Sequence, residues 1–270
     1  MQNKTTRRIS VTFHQSIGVI PQKSFTSPYS SIVLHVPHNG TVFPPAMKEW
    51  YDDHGINLLE CARWLTDHYT ADLYRTDDIP HTDYVIFPIS RIICDVERLL
   101  NDPLEEQGLG ITYDLSLVAG LKDAPRPQKE SMMRLYSIHH DLLKHVVEKN
   151  SELTLLLDCH SFSEHDNVLC PNAHEFKDID ICLGFNEDET KPSECTLRFV
   201  ADFFRERGYR VAINKPFSNS KTVDTNHQYH SLMIEVNKHC YMNEDTLERT
   251  EGFEKLHSDL QKLYHLLLNS

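Results

Sequence analysis

Residues 31–40 read SIVLHVPHNG, and this stretch sets the pattern for the whole chain. Ser31–Val36 is a short apolar run rich in β-branched residues, which is typical of a buried strand. Pro37 and the Asn-Gly pair after His38 favour a turn, so the strand leads directly into a loop. That loop carries His38, and imidazole is both a common metal ligand and a common catalytic group.

Further strand candidates alternate with helices along the rest of the chain. The predicted strands are 84–87, 92–96, 154–157, 210–213 and 231–236. The predicted helices are 57–73, 129–149, 193–207 and 245–267, and Gly208 is a typical stop for the third. Residues 101–128 have no clear period and are predicted to form an ordered loop region over the functional site. This alternation indicates a single α/β domain over residues 1–270, with three layers and a mostly parallel, mixed central sheet.

The composition restricts the classes of function and partner. The formal net charge of −13 argues against a nucleic-acid partner, because binding to phosphate backbones needs a basic surface. No apolar run reaches the ~18 residues of a membrane span, and residues 1–20 lack the apolar centre of a signal peptide. The seven cysteines are odd in number and show no CxxC spacing, so we interpret them as free thiols of a reducing compartment. These features predict a cytoplasmic protein.

Three polar residues lie at or just after the ends of predicted strands, where functional groups of open α/β sheets gather. They are His38, His160 and Glu235. Two histidines and a carboxylate are the ligand types of a catalytic zinc, which keeps one position open for water. A carboxylate near that open position would serve as the general base.

Each of these residues also has an ordinary structural interpretation. A histidine after a strand is often only a loop residue or a hydrogen-bond partner. On spacing alone, His35 and His165 compete with His38 and His160 for a metal. Glu235 also fits an ion-paired structural carboxylate. The residues taken alone therefore lead to a candidate zinc hydrolase without a defined substrate.

Six motifs, in order over about residues 31–245, resemble those of the N-formylglutamate amidohydrolase family. They are VPHNG with the following Phe-Pro (36–44), LTDHYTADLY (65–74), SRIICDVER (90–98), LDCHSF (157–162), ICLGF with GYRVAINKPF (181–217), and IEVNKHCYMNE (234–244). The resemblance implies a phosphorylase/hydrolase-like fold related to zinc carboxypeptidases. It also implies that Zn²⁺ is held by His38, Asp67 and His160, with Glu235 as general base and later general acid.

The same resemblance implies a small-molecule substrate that bears a carboxylate. Arg98 becomes the clamp for that carboxylate, because a guanidinium group matches it with two hydrogen bonds. The alternative is a surface arginine paired with Asp95 or Asp102. Arg91 would polarise the scissile carbonyl or bind a second carboxylate.

The sequence departs from the family pattern at two places. Glu97 stands where the family motif has asparagine, and residues 218–220 read Ser-Asn-Ser where the family has a Gly-Gly pair. Both places are expected near the substrate pocket. They leave the metal chemistry intact but leave the acyl group and the amino acid open.

The implied activity is zinc-dependent hydrolysis of the amide of an N-acylated amino acid. The expected reaction converts N-formyl-L-glutamate into formate and L-glutamate, as in histidine degradation. A zinc hydrolase of another N-acylamino acid or of a short peptide is the first alternative. A non-catalytic binding protein of the same fold is the second, and chelator-sensitive hydrolysis would distinguish it from an enzyme.

Overall fold

The computed structural model describes residues 25–53, 55, 57–76, 78–119, 129–150 and 152–268. The predictions for residues 1–20 and for the end of the 101–128 loop region lie outside the described residues. None of the helices in the described part combines the length and the apolar composition that crossing a bilayer would require.

Strands and helices alternate along the described chain. The strands are β1 (Ser31–Val36), β2 (Thr82–Ile86), β3 (Thr154–Phe162), β4 (Ile181–Gly184), β5 (Val211–Ile213), β6 (Tyr229–Asn237), β7 (Met242–Asn243) and β8 (Glu248–Arg249). The helices are α1 (Pro45–Asp53), α2 (Leu58–Ala62), α3 (Thr70–Tyr74), α4 (Leu115–Ala119), α5 (Lys129–Glu148), α6 (Glu194–Glu206) and α7 (Gly252–Leu267). Short 3-10 turns cover Pro103–Glu105, Ala173–Phe176 and Lys238–Cys240.

Six strands form one mixed sheet in the order β2-β1-β3-β6-β4-β5. The first four run parallel, whereas β4 is antiparallel to β6 and parallel to β5. The prediction of a mostly parallel, mixed sheet is therefore confirmed. Because β3 lies between β1 and β6, the carboxyl ends of these three strands meet at one edge of the sheet.

Helices cover both faces of this sheet, and β1 shows how the sequence achieves it. Ile32 and Leu34 belong to the apolar cluster that includes residues of α6 and α7. Val33, between them, packs in a separate cluster with Leu143 and Val147 of α5. Successive side chains of a strand point to opposite faces, so a continuous apolar run is what a strand covered on both sides requires. The predicted three-layer α/β architecture is confirmed.

The single helix predicted over residues 57–73 is wrong. The structure has two short helices there, α2 and α3, joined by turns. In the turns, the backbone N–H of Asp67 donates to the carbonyl oxygen of His38 at 3.0 Å, and Tyr69 adopts a left-handed conformation with φ of 65°. The break between the two helices therefore brings Asp67 next to His38. One continuous helix over this segment would not by itself predict that contact.

The strand predicted over residues 92–96 is also wrong. The backbone N–H groups of Ile93 and Cys94 both donate to the carbonyl oxygen of Ser90, which makes this segment a turn. Its apolar residues are fully buried in a cluster that also includes Phe87 and Tyr136. The run is apolar because it is buried, and a short buried run has the same pattern whether it is extended or turned.

Three further differences concern single elements. The strand β4 was not predicted, although all four of its residues are buried. The last helix begins at Gly252 and not near residue 245, because β7 and β8 pair as a small antiparallel hairpin directly before it. The strand predicted over 154–157 continues to Phe162, and this extension carries His160.

Candidate active site

Three buried side chains converge at the carboxyl edge of the sheet. Nδ1 of His38 lies 3.2 Å from Nδ1 of His160. Oδ2 of Asp67 lies 3.3 Å from the same nitrogen of His160 and 3.8 Å from Nδ1 of His38. The structure thus brings together the three residues named as ligands, with their donor atoms within 4.8 Å of one another. Two imidazole nitrogens and a carboxylate oxygen are a donor set that suits Zn²⁺.

The other ring nitrogens of both histidines contact buried carboxylates. Nε2 of His38 is 2.9 Å from Oδ1 of Asp95, and Nε2 of His160 is 3.1 Å from Oδ1 of Asp158. A carboxylate that accepts a hydrogen bond from Nε2–H leaves Nδ1 without a proton, which is the tautomer a metal requires. Both histidines are therefore held for the same role, and the residues present fit a zinc ion.

The neighbouring charges separate the proton affinities of these groups. Burial and the Arg91 charge lower the pKa of His38. Burial also acts to lower the pKa of His160, but the carboxylates of Asp158 and Asp67 raise it well above its ordinary value. Burial acts to raise the pKa of Asp67, yet the hydrogen bond with His160 and the nearby cationic groups lower it to about 2. These shifts favour the protonated form of His160 and the ionised form of Asp67, whereas metal binding requires His160 to be neutral.

Glu235 lies beside this cluster, opposite His160 in the register between β3 and β6. Its residue is only 7% exposed, and its Oε2 atom has no hydrogen-bond partner among the described residues. Burial is the largest influence that raises the pKa of Glu235 to about 8, against the opposing charge of His160. A buried carboxyl group without a partner is costly, and such perturbed groups are frequent at functional sites. This position beside the candidate ligands fits a group that transfers protons, and a nearby cation would favour the ionised form that a general base requires.

Both arginines named for the substrate share the carboxylate of Asp95. The Nη2 and Nε atoms of Arg91 lie 2.9 and 3.3 Å from its Oδ2 atom, and Nε of Arg98 lies 3.5 Å from it. The Tyr113 hydroxyl donates to the same oxygen at 2.5 Å. Asp95 therefore connects the candidate ligand His38 to both guanidinium groups. The alternative for Arg98 was a surface arginine paired with Asp95 or Asp102. The pairing with Asp95 is present, but Arg98 is largely buried and lines a cavity, so it is not a surface arginine.

A cavity of about 480 Å³ opens over this edge of the sheet. The three candidate ligands, Glu235 and both arginines line it, together with apolar side chains that include Trp64, Leu104, Leu109, Phe162, Val168 and Phe217. Leu104 and Leu109 of the 101–128 region line the cavity, as the predicted loop over the site requires. The prediction of a loop is wrong for Leu115–Ala119, which form helix α4. Glu97 and Ser218, where the sequence departs from the family motifs, also line the cavity.

The carboxylate of Glu97 has a counter-charge inside the wall of the cavity. Its Oε1 atom lies 3.9 Å from Nζ of Lys221 and 3.5 Å from Nδ1 of His35. Lys221 is 5% exposed and also donates to the carbonyl oxygen of Val96 at 2.9 Å. The negative charge at the position of the family's asparagine is thus balanced by a buried lysine.

The two competing histidines do not join the three candidate ligands. Nδ1 of His35 lies 2.9 Å from Oδ1 of Asp158, and its Nε2 lies 2.8 Å from Nε2 of His139. His165 is exposed, and its ring packs against Trp64 with the centroids 4.8 Å apart. The structure thereby separates candidates that spacing alone could not.

Comparison with known proteins places the chain in a family. Residues 30–242 match the family model described as N-formylglutamate amidohydrolase. The chain belongs to the N-formylglutamate amidohydrolase family. No curated protein matches the sequence significantly.

Two solved structures share the fold of this family member. The N-formylglutamate amidohydrolase from Ralstonia eutropha JMP134 has a TM-score of 0.67 and 23% identity, over 90% of this chain and 93% of that chain. A gene product from Agrobacterium tumefaciens has a TM-score of 0.58 and 16% identity, over 87% of this chain and 90% of that chain. At such low identity these similarities show the shared fold alone.

Sequence reasoning assigned no role to several residues of the site. Asp158 had a usable signal, because it precedes His160 by two residues on one strand and therefore points to the same face. Asp95 lay within a quoted motif, but its contact with His38 spans 57 positions of sequence. Lys238 lines the cavity and lay within the quoted motif of residues 234–244 without an assigned role. Tyr113 supports the site through Asp95, and no pattern in the sequence singled it out.

His139 supplies a prediction for the acid stability of this family member. The residue is 3% exposed, and burial together with the charges of His35, His140 and Lys221 lowers the pKa of His139 to about 2. In the unfolded chain its pKa is near 6.5, so the unfolded state binds the additional proton as the pH falls below that value. The resulting loss of stability is up to about 1.4 kcal/mol per pH unit.

We expect His139→Gln, which keeps a hydrogen-bonding group towards His35, to lose less stability than the wild type between about pH 6.5 and pH 5. Urea denaturation at several pH values measures both slopes. Equal slopes for the two proteins would contradict the assignment of this acid sensitivity to His139.

Proposed function

We propose that this chain is a zinc-dependent amidohydrolase that cleaves the amide bond of an N-acylated amino acid, with N-formyl-L-glutamate as the expected substrate. The observation that carries this proposal is the convergence of His38, Asp67 and His160 beside the buried carboxyl group of Glu235, in one cavity. Membership of an amidohydrolase family supports the reaction class. A relationship to zinc carboxypeptidases, a cytoplasmic location and a role in histidine degradation stay predictions.

The metal would be held by Nδ1 of His38, Nδ1 of His160 and a carboxylate oxygen of Asp67. When bound there, zinc would supply a Lewis acid for the amide carbonyl and would lower the pKa of water to near ~7. Asp95 and Asp158 fix the orientation of the two imidazole rings through their Nε2 atoms.

Glu235 would move the proton. Its carboxylate removes a proton from the water that attacks the amide carbon, so that a C–O bond forms. It then delivers this proton to the amine nitrogen as the C–N bond breaks, which gives formate and L-glutamate from N-formyl-L-glutamate. Arg91 lines the same cavity and provides a fixed positive charge for the oxyanion that develops.

A second candidate function is hydrolysis of a different N-acylamino acid or of a short peptide. The presence of Glu97 and Ser218 in the cavity wall supports this second function, because this sequence departs from the family motifs at both positions. Their effect would fall on the part of the substrate that they contact and not on the metal cluster.

A substrate panel tests the proposal and separates these two functions. Zinc-loaded protein is assayed with N-formyl-L-glutamate, N-acetyl-L-glutamate, N-formyl-L-alanine and a short peptide, with and without a chelator. We expect chelator-sensitive hydrolysis with the highest kcat/KM for N-formyl-L-glutamate. A higher value for another compound would support the second function, and no hydrolysis of any compound would indicate a non-catalytic binding protein.

Arg98 provides a prediction about the substrate's carboxylate. If its guanidinium group binds that carboxylate, Arg98→Ala should raise KM, and it should also lower kcat because the amide is no longer held in position. Arg98→Lys should restore activity only in part, since an ammonium cannot make the paired contact.

The control for Arg98 is a substrate in which an amide replaces the carboxylate. The wild type should discriminate strongly against this analogue, whereas Arg98→Ala should barely distinguish the two compounds. If Arg98→Ala keeps the wild-type preference for the free carboxylate, the clamp lies elsewhere and Arg91 is the next candidate.

A further inference from the structure

Lys238 is a buried cation in the wall of the candidate active site. It lies in the 3-10 turn that directly follows β6, three positions after Glu235. The residue is only 2% exposed, yet it lines the same cavity as the candidate metal ligands. Burying an ammonium group is costly unless it is paired and hydrogen-bonded, so its surroundings indicate whether this lysine serves the fold or a ligand.

The contacts of the Lys238 ammonium within the described residues are long. Nζ lies 3.5 Å from the carbonyl oxygen of Trp64 and 3.9 Å from Oε2 of Glu244. Glu244 is shared, because its other carboxylate oxygen accepts a hydrogen bond from the backbone N–H of Glu164 at 3.2 Å. An ammonium has three donors and makes its strong ionic hydrogen bonds at about 2.7–2.9 Å. Both contacts are well beyond that range.

Arg91 differs from Lys238 in this respect, because two of its nitrogens lie 2.9 and 3.3 Å from Oδ2 of Asp95. Arg98 contacts the same carboxylate at 3.5 Å. Asp95 therefore balances part of their charge before any substrate binds. Burial lowers the pKa of Lys238, while the carboxylates of Asp67, Glu244 and Glu235 act in the opposite direction. An additional anion in the cavity would satisfy this ammonium.

We propose that the Lys238 ammonium binds a carboxylate of the substrate, separately from the carboxylate assigned to Arg98, and that it determines specificity at that position. This inference rests on the proposed function and assigns a binding residue to the second carboxylate of its expected substrate. It makes the negative charge of the amino acid side chain, and not only the α-carboxylate, a feature that the cavity recognises. Lys238 is here a binding residue, and the proton transfers remain with Glu235.

The test combines neutral variants with substrates that lack one carboxylate at a time. N-formyl-L-glutamate is compared with N-formyl-L-glutamine and with its α-amide counterpart, in the wild type, Lys238→Met and the matched variant Arg98→Gln. We expect the wild type to prefer N-formyl-L-glutamate over both analogues by about 10- to 100-fold in kcat/KM, the worth of an ionic hydrogen bond. Lys238→Met should remove the preference at one carboxylate, and Arg98→Gln should remove it at the other.

If Lys238→Met keeps both wild-type preferences, the inference is overturned while the proposed function stands. If the wild type hydrolyses none of the three compounds with zinc present, the proposed function itself has failed. A crystal structure of the wild-type protein with glutarate covers the case in which Lys238→Met does not fold. We expect a glutarate carboxylate within hydrogen-bond distance of Nζ of Lys238, and glutarate bound in the cavity without that contact would overturn the inference.

Discussion

Glu235→Gln is expected to lower kcat by about 10²–10⁴-fold while the zinc content stays at the wild-type level. The amide is nearly the same size as the carboxyl group but cannot accept a proton from water or deliver one to the leaving amine. Because Glu235 belongs to the buried wall of the cavity and not to the three candidate ligands, its replacement should leave the metal cluster in place. Steady-state kinetics and elemental analysis of the same sample measure both quantities.

Glu164→Gln is the matched control for this prediction. Glu164 is close in space to the end of β3 but is partly exposed and pairs with His239, so its replacement should leave kcat near the wild-type value. A Glu235→Gln enzyme with near wild-type kcat would exclude the role as general base. A variant that loses its zinc would instead make Glu235 a ligand.

Removal of a histidine ligand should have the second large effect. His160→Ala takes away one of the three candidate ligands and also leaves the buried Asp158 carboxylate without one of its two histidine partners. The zinc affinity should fall by more than the roughly 10–100-fold that is typical for loss of a residue outside the ligand set, and activity should fall with it. His38→Ala should behave in the same way, because His38 has the matching contact with Asp95.

The control here is His165→Ala, which removes an exposed histidine that packs against Trp64. It should keep the full zinc content. Elemental analysis after dialysis against metal-free buffer measures all three variants. Full metal retention in both His38→Ala and His160→Ala would refute the assignment of the site.

The strand-end residues were the part of the site that the sequence could predict. His38 and His160 follow or end apolar runs, and the carboxyl ends of neighbouring parallel strands meet at one edge. The periodic pattern does not contain the strand order, so the placement of β3 between β1 and β6 had to come from the structure. The register that sets Glu235 opposite His160 likewise depends on that order.

Asp67 shows why other parts could not be predicted from periodicity. Its neighbourhood has a helical pattern, and only the family resemblance suggested a ligand there. In the structure the helix is interrupted, and a hydrogen bond from the Asp67 backbone to His38 holds the turn at the site. A contact between positions so distant in sequence competes with the local preference for a helix. The local sequence pattern does not show whether the contact or the helix is formed.

The buried charges were the other element beyond the reach of the sequence. The ion pairs of Arg91 and Arg98 with Asp95 and of Glu97 with Lys221 set the charge of the cavity wall. From its residue type alone, each of these side chains would be placed on the exposed surface, because charged side chains are rarely buried unless they are paired. The same holds for Lys238, because only the structure shows that its ammonium is buried and that its nearest partners are distant.

A zinc titration of chelator-treated protein tests the proposed zinc-dependent hydrolysis most directly. Formate release from N-formyl-L-glutamate is measured after each addition of zinc, with the bound metal determined in the same samples. We expect no activity without metal and a rise that saturates at about one bound zinc per chain, as a single three-ligand site requires. Full activity in metal-free protein, or no hydrolysis when one zinc is bound, would contradict the proposed function.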